Sequence, residues 1–217
     1  VAPRLPLTPE RIVEAAVAVA DEGGLVAVSM RNVARALGVE AMSLYHHVAN
    51  KDALLDALAD EPYASIELPS AADPWRPAMA RRASSARTVL LEHPWALHLL
   101  ESRRRPGPYL LAHHEAVLTC LRSNGFSVPL AAHAFSLLDA YVYGFVLSEL
   151  TLPLRPDEPV ADFVAELGDA MDPERYPHLV EMTAEHVARP TYAYADEFPE
   201  GLELILDGLA GRLAADR

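Results

Sequence analysis

The sequence predicts an all-α protein in two parts: an N-terminal helix-turn-helix domain over residues 1–62 and a C-terminal helical domain over residues 63–217. Three observations predict it. Apolar residues recur three and four positions apart, as in Ile12, Ala15, Ala16, Val19 and Ala20 or in Leu202, Ile205, Leu206, Leu209 and Leu213. No short alternation of β-branched residues offers a strand. Pro62, Pro69, Pro74 and Pro77, with Ser70-Ala71-Ala72 among them, interrupt the helical pattern once, near residues 62–74.

The elements follow in order. Residues 1–7 read as a loose arm. Thr8 can cap a helix whose first position is Pro9, where the missing N–H costs nothing, and Gly23-Gly24 stops it. Leu25 to Val28 is a short apolar link. Ser29 caps the next helix, which turns Val33, Ala34 and Leu37 inward and ends at Gly38, a residue that tolerates the left-handed conformation. Val39 plugs the gap before a second short helix over residues 41–47. That helix buries Leu44 and turns Met42, Ser43, Tyr45, His46 and His47 outward. A helix of about seven residues cannot stand alone in water. Held by its neighbours, with a polar and aromatic outer face, it suits a DNA major groove. Asn50 caps a fourth helix that faces Leu54, Leu55 and Leu58 inward and runs toward Ile66, with Pro62 expected to kink or end it.

In the second part, residues 75–91 read as a helix whose Arg76, Arg81, Arg82 and Arg87 face solvent or the first domain. Residues 95–100 are a short apolar helix or turn, and Arg103-Arg104-Arg105-Pro106-Gly107-Pro108 is a solvent loop. A helix over residues 109–123 closes at Asn124-Gly125. Ser127 caps the next, which runs to about Leu152 and is apolar nearly all round, so it is expected to be buried on several sides by a core face and a dimer face. Residues 153–175 are rich in proline and acid and read as a mobile loop holding one short helix. A helix over residues 176–188 and a last one from Phe198 complete the chain. Gly201, Gly208 and Gly211 each cost the last helix about 1 kcal/mol relative to alanine. Close packing against another helix would offset that cost.

Composition limits the function. The chain has 217 residues, 51% hydrophobic and 23% charged, as in ordinary globular proteins. It offers no run of about 18 apolar residues for a membrane span and no apolar signal core, so export is not expected. Cys120 is alone, which fits a reduced cytoplasmic setting and the role of a small buried hydrophobe. The net charge of −13 argues against general attraction to nucleic acid, and residues 1–62 hold nine acidic against five basic side chains, or −4. DNA binding must therefore rest on a local face, on helix N-termini and on a dimer that doubles the contacts.

The motifs Thr8-Pro9-Glu10-Arg11-Ile12, Gly23-Gly24, Ser29-Met30-Arg31, Leu37-Gly38-Val39, Leu44-Tyr45-His46-His47-Val48 and Asn50-Lys51-Asp52-Ala53-Leu54-Leu55 resemble the N-terminal domain of TetR-family transcriptional regulators. Asn124-Gly125-Phe126-Ser127 and Gly201-Leu202-Glu203-Leu204-Ile205 are similar to the tetracycline repressor branch. The resemblance implies a ligand-responsive repressor that sits as a homodimer on a palindromic double-stranded DNA operator. It also implies a C-terminal ligand-binding and dimerisation domain, with the helix over residues 128–152 and the last helix forming a four-helix bundle with their copies. Carried over position by position, Tyr45, His47 and Lys51 match phosphate contacts, and Arg31, Ala41, Met42, Ser43 and His46 match contacts to bases or groove wall. Tyrosine, histidine and lysine can donate to phosphate, and arginine can pair with guanine. Ala41 and Met42 depart from the polar residues expected there.

For the small-molecule effector, the candidates lining a pocket between bundle helices are His98, Tyr109, His113, Phe135, Ser136, Asp139 and Tyr143. A carboxylate at Asp139 on an apolar helix needs a partner or a ligand. His113-His114-Glu115 lacks metal-ligand spacing. In the tetracycline repressor branch a histidine near His98 and an acid near Glu149 hold the metal of a metal–drug complex. Here Ser148 takes the aligned position and the acid comes one residue later, about 100° around the helix, so no metal and no cofactor is expected. No nucleophile elbow or phosphate loop supports an enzyme. A binding module without DNA recognition is the remaining alternative, motivated by the acidic first domain.

Overall fold

Thr8 Oγ1 accepts the backbone N–H of Arg11, and Pro9 opens α1 (Pro9–Ala27). The structure, a computed structural model, describes residues 6–100, 103–153, 163–164, 166, 168, 171–189 and 191–216. Most of the proline- and acid-rich passage over residues 153–175, and residues 1–5 of the arm, lie outside the described residues. Gly24 interrupts α1 rather than ending it. It takes φ 67°, where a side chain would be strained, and one more turn follows to Ala27.

Ser29 caps α2 (Met30–Leu37) by accepting the Asn32 N–H at 3.2 Å. Gly38 closes it in the left-handed region at φ 65°, and the Gly38 and Val39 N–H groups return to the carbonyls of Arg35 and Ala34. The next helix is shorter than its pattern suggests. α3 spans only Ala41–Leu44, and the chain then tightens through His47, whose N–H reaches the Leu44 carbonyl at 2.9 Å. Leu44 and Val48 anchor this segment in the core, a contribution of about 1.5–3 kcal/mol for each such side chain. Asn50 Oδ1 accepts the Ala53 N–H at 2.8 Å and starts α4 (Lys51–Ser65), which runs through a buried Pro62 without stopping.

The second half contains α5 (Trp75–Glu92), a 3-10 turn (Pro94–His98), α6 (Pro108–Ser123) and α7 (Val128–Thr151). It continues with α8 (Pro177–Met182), a π-helical turn (Thr183–Val187), a 3-10 turn (Tyr194–Asp196) and α9 (Glu197–Ala215). There is no strand among the described residues. α5, α6 and α9 all pack on α7, and α4 passes from the first domain onto α6. The buried apolar residues form one continuous cluster from Ile12 on α1 to Leu213 on α9.

By length and composition α7 is apolar enough to cross a membrane. Its inner face packs in the core and carries Asp139 in an ion pair, in line with the expected core face. One expectation needs correction. The arginines of α5 are not simply solvated. Arg82 is 1% exposed and paired with Asp139. Arg87 donates to Glu149 at 2.9 and 2.5 Å and lies over the Phe145 and Phe198 rings. Arg76 reaches Glu203 and Asp207 on α9.

A candidate DNA-reading helix and a buried polar cluster

The α2–α3 unit turns one face outward. Arg31, Met42, Tyr45, His46, His47 and Lys51 are exposed, and Ala41 and Ser43 are half-buried at the start of α3. Met42 is 72% exposed and Tyr45 45%, so neither is part of the core. Arg31 and Lys51 enter no ion pair among the described residues, which leaves their charges available to phosphate despite the acidic surroundings. The Asn32 side chain donates to the Ala27 carbonyl at 2.7 Å and pins α2 to the end of α1. The outer face is thus held on a scaffold fixed by caps and by Leu44.

The other candidates do not form one site. His98 is exposed and lines a cavity of about 410 Å³ between α1 and the 3-10 turn, beside Leu25 and Trp95. Ser136 is exposed on α7. Tyr109 is 47% exposed at the start of α6, and its backbone N–H donates to Asp60 at 3.0 Å. Glu149 is occupied by Arg87, and the described residues contain no cluster of three or more metal-ligating side chains.

His113, Asp139, Tyr143 and Phe135 come together where α4, α5, α6 and α7 meet. Arg82 organises them. Its Nε donates to His113 Nε2 at 3.0 Å, and its Nη2 pairs with Asp139 Oδ1. The Tyr143 hydroxyl meets that of Tyr63 on α4 at 3.3 Å. The Tyr63 and His113 ring centroids are 5.4 Å apart, and Phe135 packs edge-on against His114 at 4.6 Å. Burial, reinforced by the Arg82 charge, pushes the His113 pKa down to about 3, so the ring is neutral at physiological pH. Burial raises the Asp139 carboxyl, and Arg82 opposes that shift. Burial likewise raises the Tyr143 hydroxyl.

Three members of this region were not legible in the sequence as site residues: Arg82, Tyr63 and Asp60. Arg82 had one signal, the need of Asp139 for a partner. Tyr63 and Asp60 had none: Asp60 lies at the end of the helix-turn-helix domain and Tyr63 follows Pro62, where the helix was expected to kink or end.

A family model described as "Bacterial regulatory proteins, tetR family" matches residues 12–58, and one described as "Tetracyclin repressor-like, C-terminal domain" matches residues 68–213. The chain belongs to the TetR family. As a TetR-family protein it is a DNA-binding transcriptional regulator and not an enzyme. It is 35% identical over 224 residues to the HTH-type transcriptional repressor DrrR1 of Streptomyces coeruleorubidus, covering 99% of this chain and 82% of that protein. It is 33% identical over 178 residues to the class D tetracycline repressor protein of Escherichia coli, covering 76% and 80%. Apo ActR from Streptomyces coelicolor matches with a TM-score of 0.82 at 29% identity, covering 98% of this chain and 99% of that one. ActR in complex with actinorhodin matches at 0.79 and 31%, covering 95% and 96%.

Proposed function

We propose that two copies of this TetR-family chain bind a palindromic operator in the cytoplasm, repress transcription there, and leave the operator when a small molecule enters the C-terminal domain. The exposed, unpaired row of Arg31, Tyr45, His46, His47 and Lys51 carries the reading. Two such heads double a contact set that is too small alone to overcome a net charge of −13.

Dimerisation is supported by the α7–α9 face. Leu137 and Leu204 are 47% and 74% exposed beside an open groove of about 680 Å³. A Cβ added at Gly208 or Gly211 would meet nothing within 4 Å in the single chain. Their conformational cost in α9 therefore has no return within one subunit, and a second pair of helices pressed on this face supplies it. Effector binding at the α4–α7 junction is supported by the buried polar cluster and, by analogy, by ActR, which was captured with actinorhodin.

The test is selection of duplexes from a randomised library with the purified full chain. A two-fold symmetric consensus with two chains per duplex is expected. Recovery of no consensus would favour a binding module without DNA recognition.

A further inference from the structure

Arg103 ties its loop to the start of α4. Its Nε donates to Asp56 Oδ1 at 2.5 Å, and its Nη2 donates to the Asp52 carbonyl at 3.1 Å. The same Nη2 stands 3.7 Å from Asp52 Oδ1. Asp52 and Asp56 follow Lys51 by one and five residues, about 1.5 and 7.5 Å along the helix axis. The loop that precedes α6 is therefore held against the first two turns of the helix that opens with Lys51.

This is where the first domain needs positive charge. Residues 1–62 carry −4, and Asp52, next to Lys51, has a side chain that is 84% exposed. A carboxylate there repels the phosphates that Lys51 would meet. Arg103 sets a cation beside Asp52 and Asp56, and counting Arg103-Arg104-Arg105 with the first domain brings −4 to −1. Arg104 and Arg105 follow directly, are exposed, and enter no ion pair among the described residues. Arg105 borders the narrow cleft that Asp56 and Asp60 also line, and Arg104 does not, so Arg104 is the freer of the two. A guanidinium presents a planar fork of N–H donors that matches phosphate oxygens.

We propose that this loop, outside the helix-turn-helix domain, is part of the DNA-binding surface: Arg104, with Arg105 beside it, meets backbone phosphates next to those met from Lys51. Arg103 is the positioning residue that keeps the loop there. The partner is the duplex backbone, and the contact adds affinity without reading sequence. The proposal rests on the reading of α3 as the DNA-reading helix and adds a contact from the second part of the chain.

A selected palindromic duplex is titrated with the full chain at several salt concentrations. The forms compared are wild type, Lys51→Ala, Arg104→Gln/Arg105→Gln, and Arg175→Gln/Arg189→Gln, which removes two exposed charges on either side of α8 and its π-helical turn. The Arg104→Gln/Arg105→Gln variant is expected to bind at least tenfold more weakly at low salt, with the salt slope reduced by at least about one, and the Arg175→Gln/Arg189→Gln variant to bind like wild type. Ethylation interference then reads the contacts themselves. Wild type is expected to be blocked at phosphates that no longer matter to Arg104→Gln/Arg105→Gln and that differ from those lost in Lys51→Ala. Arg103→Gln is expected to lose the Arg104 phosphates while keeping those of Lys51, and loss of both sets would reduce Arg103 to a support of α4. An unchanged slope with the same interfering phosphates would overturn the loop contact. An equal loss in Arg175→Gln/Arg189→Gln would also overturn it, by making the effect one of net charge. Wild-type binding with an unaffected loop variant refutes the loop alone, whereas failure of wild type to select any duplex refutes the DNA-reading assignment and the loop with it.

Discussion

Asp60 on α4 holds the N-terminus of α6 through Leu110. Its Oδ1 accepts the Leu110 N–H at 2.8 Å, and its second oxygen accepts the Tyr109 N–H at 3.0 Å. A carboxylate facing the free amides at the start of a helix is doubly favoured, by hydrogen bonding and by the helix dipole. This one reaches from α4, which follows the candidate DNA-reading helix α3 in the chain, to α6, which carries His113. Gly107 makes room for it, since a Cβ there would come within 2.1 Å of the Asp60 carboxyl carbon.

Replacing Asp60 by alanine removes the cap from α6. Thermal or urea unfolding is expected to show a loss of about 1–2 kcal/mol. Gly107→Ala, which displaces the same carboxylate, is expected to lose a similar amount, and the Asp60→Ala/Gly107→Ala double variant less than the sum. Additive losses would show that the two residues act apart.

The Arg82–Asp139 pair is a buried charge pair, so its two halves are not equivalent to the whole. Arg82→Leu leaves a lone buried carboxylate and is expected to destabilise by about 3–5 kcal/mol. Arg82→Leu/Asp139→Leu removes both charges and is expected to recover most of that loss. Urea denaturation of the three proteins checks it.

His113 ties stability to pH. Its folded pKa of about 3 lies below the ordinary 6.5, so between those values the unfolded chain binds a proton that the folded chain does not. The stabilisation is complete above pH 6.5 and is lost as pH falls toward 3, at up to about 1.4 kcal/mol per pH unit. Asp139, whose carboxyl is raised, acts with the opposite sign in acid. Comparing unfolding free energies of wild type and His113→Asn between pH 7 and 4 isolates the histidine. The wild type is expected to fall more steeply, and parallel curves would contradict the assignment.

The proposed dimer face on α7 and α9 is tested by placing charge on it. Leu204→Glu or Leu137→Glu places charge on exposed apolar ground, where the single chain loses little. Analytical ultracentrifugation is expected to show dimers for the wild type and a shift to monomers for either variant, with unchanged helical circular dichroism.

Local chemistry made the first domain legible. Thr8, Ser29 and Asn50 cap the helices that their side chains announce, and Gly38 closes α2 in the left-handed region. The end of α3 was not legible, because the tightening after Leu44 depends on how Val48 docks rather than on period. In the second part of the chain, Asp139 declared its need for a partner from sequence. Arg82 falls on the helical stripe of Ala78, Met79, Ala83 and Ala86, but the small residues of that stripe mark the inner face of α5 only weakly, and the packing of α5 on α7 shows that Arg82 rather than Arg81 turns inward. His98 shows the reverse case: it looked like a bundle-pocket residue by position along the chain, and the 3-10 turn carries it to the outer side against α1.

The central claim is that the α3 face reads DNA. Titration of a selected palindromic duplex with wild type, Tyr45→Ala and Lys51→Ala, at several salt concentrations, tests it most directly. The expected result is tight binding by two chains, weakened at least tenfold in each variant, with the Lys51→Ala salt slope reduced by about one. Equal affinities and equal slopes for the three proteins would contradict it.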